Sequence, residues 1–150
     1  MQTNENNEEM MLKKEALTIF NQFCSELPSY SLGLLKMYLE KFENDDPDNK
    51  TVVFSKKEYE MKLENEEVSD YELQDGISGL LKPVSFKGEI RMMFSMFEGA
   101  NVRKTNGEYF IYLTCSDIAK NHIFTNPDVA KCDLTEEVQK RIIALREEEE

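Results

Sequence analysis

The sequence predicts one α+β domain, and three observations carry that prediction. Apolar residues recur at helical spacing in five segments, a β-branched run Thr51-Val52-Val53-Phe54 lies between the second and third, and beyond Pro83 the period becomes that of strands. A chain of 150 residues with 40% apolar content is long enough to bury one ordinary core.

Residues 8–24 bring Met11, Leu12, Ala16, Ile19, Phe20 and Phe23 to one helical face, with Glu8 and Glu9 ahead of Lys13 and Lys14 as the helix dipole favours. Pro28 stops this helix, and 31–42 resume the pattern through Leu32, Leu35, Tyr38, Leu39 and Phe42. The Asn-, Asp- and Pro-containing run 43–50 is a turn by composition, and 51–54 is a short strand. Ser55 with Glu58, and Ser69 with Glu72, have the spacing of a capping box and open helices over 56–63 and 69–82; Pro83 ends the second. Two β-rich runs follow, 84–97 and 108–114, joined by Glu98 to Gly107 with Asn106-Gly107 as turn residues, which predicts one long β-hairpin. Leu134, Val138, Ile142 and Leu145 predict a last amphipathic helix over 134–147, closing on a solvated acidic tail, 147–150. No internal repeat or Pro/Gly-rich linker divides the chain.

Helix, helix, short strand, helix pair, hairpin and helix is the plan of a winged helix, in which a helix-turn-helix is followed by a β-wing and the first strand pairs at the wing's edge. Particular residues fill that plan: the Leu-Leu-x-x-Tyr-Leu helix from Leu34 to Leu39, Val52-Val53-Phe54 leading into Ser55 and Glu58-Tyr59, and the strand Ile111-Tyr112-Leu113-Thr114-Cys115-Ser116. Together they resemble the first, N-terminal winged-helix domain of the plasmid replication initiator proteins over roughly residues 29–121. The resemblance implies a non-catalytic module that contributes dimerisation and supporting contacts to the DNA backbone. In that family a second winged helix is the stronger reader of DNA.

Charge bears directly on that expectation. Lys and Arg number 18 against 30 Asp and Glu, a net charge of −12. Residues 40–75 hold 13 carboxylates and 5 cations, or −8, whereas 76–131 sum to +2. Phosphate repels such a chain, so DNA is disfavoured as a general partner, and a protein partner or homodimer is expected instead. The helix 69–82 should read bases in a winged helix, yet it offers Asp70, Glu72, Gln74 and Asp75, with Lys82 at its end, where base edges call for Arg, Lys, Asn or Gln. Lys82, Lys87, Arg91, Arg103 and Lys104 form the basic set on and beside the hairpin, which makes the wing the expected nucleic-acid contact.

The acid supports an alternative. Glu58, Glu60, Glu64, Glu66, Glu67, Asp70, Glu72 and Asp75 along exposed helices would imitate a row of phosphates. Such a DNA mimic, phage- or mobile-element-encoded and anti-CRISPR-like, would occupy the nucleic-acid site of a defence enzyme. The plainer reading is that these groups solubilise the surface. Met92, Phe94 and Met96 alternate onto one face of their strand, which is either a dimer or partner surface or a strand covered on both sides.

Catalytic classes find no support. The single histidine, His122, lies between Cys115 and Cys132 without a fourth ligand or the close pairs of a zinc site. Asp45, Asp46 and Asp48 lack the ligand spacing of a calcium loop, and no nucleophile elbow or phosphate loop occurs. No enzyme activity, cofactor, metal or small-molecule substrate is expected. Cys24, Cys115 and Cys132 are too few and scattered for a disulfide framework. With no secretory leader and no long apolar segment, the expectation is a cytoplasmic protein with reduced thiols and no membrane partner, and a chance glycosylation triplet at Asn49–Thr51.

Overall fold

Pro28, fixed in an extended conformation, sets the first corner between α1 (Asn4–Glu26) and α2 (Ser29–Lys41). The computed structural model describes residues 4–42, 49–64, 66–87 and 91–149, with side chains from Lys14 to Glu148. Helix α2 is the centre of the molecule: every residue from Ser31 to Tyr38 is buried. A helix apolar all round must be covered all round, and α4 (Asp70–Leu81), α6 (Thr135–Glu149) and strand β1 (Thr51–Ser55) pack against it. The α2–α4 contact is close because Gly79 faces Ser31, where a Cβ would overlap Ser31 Oγ. Ser31 Oγ donates to the Gly76 carbonyl at 2.6 Å, so this buried hydroxyl in the seam is satisfied.

Between β1 and α4 lies the short helix α3 (Lys56–Lys62), whose N-cap Ser55 accepts from the Glu58 amide at 3.1 Å. The reciprocal half of this capping box is replaced: the Glu58 carboxylate turns to Lys41, 3.3 Å away. Both halves form at Ser69, where the Glu72 side chain accepts from the Ser69 amide at 2.9 Å and Ser69 Oγ accepts from the Glu72 amide at 3.1 Å.

The expected single hairpin is corrected to two. Residues 84–97 are not one strand: β2 (Pro83–Lys87) and β3 (Arg91–Ser95) pair with each other in a separate two-stranded sheet. Alternation runs unbroken through both, so period alone does not reveal the reversal. The segment 98–107, expected as a connection, is mostly strand β4 (Phe97–Thr105), paired with β5 (Glu108–Cys115). Strand β1 adds to the other side of β5, giving an antiparallel sheet of order β1-β5-β4. The inward face of that sheet supplies Val52, Phe54, Ile111, Leu113 and Cys115 to the core.

Aromatic rings close the core where sheet and helices meet. The Tyr38 ring meets Phe97 edge-on at 4.9 Å and Phe124 at 5.5 Å, pairs worth about 0.5–1.5 kcal/mol each beyond their burial. Its hydroxyl donates to the Lys50 carbonyl at 2.7 Å. Phe124 belongs to a π-helical turn (Ala119–Phe124) that leads into the short α5 (Pro127–Ala130), neither of which has an apolar period to announce it. Helix α6 then returns to the core through Val138 and Ile142, and Arg141 donates to the carbonyls of Cys24 and Leu27 at the end of α1.

The turn expected at 43–50 lies, for residues 43–48, outside the described residues, as do Asp45, Asp46 and Asp48 and the last residue of the acidic tail. Cys24, Cys115 and Cys132 are free thiols, and burial pushes Cys24 up to about 12. No helix among the described residues is long and apolar enough to cross a membrane.

Candidate nucleic-acid interface

The β4–β5 hairpin owes its register to two residues. Asn106 and Gly107 both take positive φ (52° and 81°), the geometry of a two-residue turn whose twist matches the strands it joins. That turn pairs Thr105 with Glu108 and so sets Arg103 opposite Phe110 and Lys104 opposite Tyr109. Every residue from Asn101 to Gly107 is exposed, so the end of the hairpin stands clear of the core. The cations lie against rings: Arg103 over Tyr112 at 4.8 Å, and Lys104 and Lys56 over Tyr109 at 5.5 and 6.0 Å.

The other expected basic residues sit elsewhere. Lys87 and Arg91 face each other across β2 and β3, on the separate sheet, and exposed Lys82 is the C-cap of α4. The five residues are thus divided among the end of α4, the β2–β3 hairpin and the β4–β5 hairpin rather than gathered on one hairpin. They share one property: among the described residues, none of Lys82, Lys87, Arg91, Arg103 and Lys104 is in an ion pair. By contrast Lys36, Lys41, Lys50, Lys62, Arg141 and Arg146 are all tied to carboxylates.

The acidic face is largely occupied by the protein itself. Glu60 accepts from the Val68 amide at 2.7 Å, holding the α3–α4 connection. Glu64 accepts from Gln139 at 3.2 Å and Glu66 from Arg146 at 2.6 Å, so both tie that connection to α6. Glu58 is held by Lys41. Glu72 caps α4 and accepts from the Tyr30 hydroxyl; that bond, with the Ser69 amide, holds its carboxyl below the ordinary glutamate value. Only Glu67, Asp70 and Asp75 of the eight are without an ion pair or hydrogen bond of this kind among the described residues. They accompany exposed Tyr71 and Met61.

Met92, Phe94 and Met96 do not form an outward surface. Phe94 (8% exposed) and Met96 (0%) are in the core and Met92 packs against it, while Met93 on the opposite face is 73% exposed. The side that the expectation had offered to a partner is turned into the core. His122 lies in the π-helical turn, and among the described residues no group of three or more His, Cys, Asp or Glu is arranged to hold a metal ion.

Sequence reasoning missed Lys56, Tyr109, Phe110 and Tyr112 as neighbours of the basic hairpin. The signal for Tyr109 and Phe110 was present, because Asn106-Gly107 fixes the pairing of Arg103 and Lys104 with 110 and 109 once 98–105 is taken as strand, whereas nothing local brings Lys56 of α3 there. Comparison of the chain with protein-family models, with curated proteins and with solved structures finds no significant match in any of the three.

Proposed function

We propose that this chain is a non-catalytic winged-helix module, similar to the first domain of a plasmid replication initiator, that associates with a protein partner or a second copy and touches nucleic acid weakly through its β4–β5 wing. One observation carries the reading: helices α3 and α4 are inserted between β1 and the hairpin, in a sheet of order β1-β5-β4. That order supports a helix-turn-helix followed by a wing, with the β2–β3 hairpin as an addition between α4 and the β4–β5 hairpin. The charges agree with a wing contact. Helix α4 turns Asp70, Gln74 and Asp75 to solvent, whereas Arg103 and Lys104 on the wing are unpaired among the described residues. Duplex binding at low salt, followed by fluorescence anisotropy, tests it. The expected result is weak binding that falls at least about tenfold in the Arg103→Ala, Lys104→Ala double variant. No binding at low salt, together with a monomer in sedimentation, would overturn the proposal.

The DNA-mimic reading keeps a narrower footing in Glu67, Asp70 and Asp75 beside the exposed Tyr71. Its test is charge reversal restricted to groups that do not hold the fold. Asp70→Lys with Asp75→Lys abolishes inhibition of a nucleic-acid-binding target if this helix is the mimic, and inhibition that survives removes the reading.

A further inference from the structure

The outward face of the β1-β5-β4 sheet is unlike the rest of the surface. Register places Val53, Tyr112 and Asn101 in one row across the three strands, Ser55, Phe110 and Arg103 in the next towards the wing tip, and Thr51, Thr114 and Gly99 in the row behind. Their inward neighbours Val52, Phe54, Ile111 and Leu113 are all in the core, so this face points the other way. It is open: Val53 is 42% exposed, Thr51, Asn101 and Arg103 are exposed, and a Cβ built on Gly99 would meet nothing within 4 Å. Phe110 and Tyr112, in the middle strand, are half-buried only. A solvent-facing sheet ordinarily carries polar residues there, and two aromatic rings at consecutive outward positions need a reason.

Charge narrows what would cover them. Arg103 lies over Tyr112, and on the other side of the hairpin Lys56 and Lys104 flank Tyr109. At the opposite end of the sheet Lys50 is neutralised by Glu98 and Asp117, at 3.0 and 2.9 Å. Positive charge is therefore concentrated at the wing end, with Glu108 as its carboxylate. Cations gathered beside flat rings are complementary to a polyanion that carries flat apolar groups.

Spacing narrows it further. Rings two residues apart on a strand are about 6.7 Å apart. Bases stacked in a duplex strand are about 3.4 Å apart and turned inward, so they do not match the two rings. A drawn-out single strand, with its bases free to lie on aromatic faces, does.

We propose that this outward sheet face is a platform for single-stranded nucleic acid, with Phe110 and Tyr112 stacking against successive bases once Arg103, an exposed side chain, swings from the Tyr112 ring to the phosphates between them. The proposal rests on the reading of the wing as the nucleic-acid contact and names the form of nucleic acid that the wing sheet prefers.

The test compares a labelled oligothymidylate of about 15 nucleotides with a blunt duplex of the same length, by anisotropy at low salt. The single strand is expected to bind the tighter, and to quench tyrosine emission, which is readable because the chain has 6 Tyr and 0 Trp. In the Phe110→Leu, Tyr112→Leu variant the ratio of single-strand to duplex affinity falls at least about tenfold. The swap Phe110→Tyr, Tyr112→Phe keeps both rings and is expected to stay within about threefold of the original ratio, which separates stacking from damage to the fold. Duplex binding equal to or tighter than single-strand binding, with the ratio unmoved by the leucine variant, overturns the platform while leaving the wing reading standing. Failure to bind either form overturns both. A dimer that dissociates in the leucine variant and is untouched by oligothymidylate overturns the platform in favour of a self-association face.

Discussion

The helical body and the β4–β5 hairpin arrange their charged groups differently. In the body, many carboxylates and cations are joined to one another or to backbone: Glu66 with Arg146, Glu40 with Lys36 and Lys62, Arg141 with Glu137 and the end of α1, and Glu60 with the Val68 amide. On the wing, Arg103 and Lys104 lie on rings, and no carboxylate pairs with them among the described residues. The contrast is one of arrangement. Lys14, Lys57, Lys131 and Lys140 are also without ion pairs among the described residues, but they are scattered along the body rather than gathered beside aromatic rings. Net charge hides this difference, since a −12 chain retains a locally cationic edge where its acids lie on other elements.

The largest effect is expected where the body is packed most closely. Gly79→Val drives a branched side chain into Ser31 and the start of α2, and the destabilisation should be about 3 kcal/mol, read as a fall in the denaturant midpoint. A smaller cost, of about 1–2 kcal/mol, is expected for Glu72→Ala, which removes the reciprocal cap of α4 and the Tyr30 bond together. Asp75→Ala, on the same helix but facing solvent, should stay within about 0.5 kcal/mol. If these two carboxylates cost the same, the division between structural and free acid fails.

The same pair gives a pH test with a definite sign. Because the folded-state value of Glu72 is lowered by the Tyr30 hydroxyl and then by the Ser69 amide, its contribution is present above the ordinary glutamate value of about 4.3 and is lost as pH falls through the lowered folded value. The Glu72→Gln variant should therefore lose less stability than the parent protein on acidification below about pH 4.3, measured by denaturant titration at each pH. An equal acid effect in both proteins would place the linkage on other carboxylates.

The smallest expected stability effect is at the wing. Arg103→Ala with Lys104→Ala should change unfolding free energy by less than about 0.5 kcal/mol, since both side chains are exposed and neither holds a described element in place.

How much of this was legible in sequence depends on range. Helices α1, α2, α3, α4 and α6 were visible because caps, prolines and a 3.6-residue period are local, and β1 was visible from Val52-Val53-Phe54. The split of 84–97 into β2 and β3 was not, because alternation continues across the reversal and only pairing distinguishes one long strand from two short ones. The cations Lys82, Lys87, Arg91, Arg103 and Lys104 were legible as a set, but their distribution over α4 and two sheets was not. Least legible was which acids are free. Glu64 and Glu66 look like any exposed carboxylate until Gln139 and Arg146 arrive from distant parts of the chain, and Glu72 was legible as a cap but not as the acceptor of the Tyr30 hydroxyl.

The central claim, that nucleic acid is met by the wing rather than by helix α4, is tested most directly by the salt dependence of duplex affinity. With two phosphates no longer neutralised by the protein, the slope of log affinity against log salt should become shallower by about 1.8 in the Arg103→Ala, Lys104→Ala variant. A slope that stays at the parent value in that variant, and instead falls when Lys57 and Lys62 of α3 are replaced by alanine, would contradict the claim.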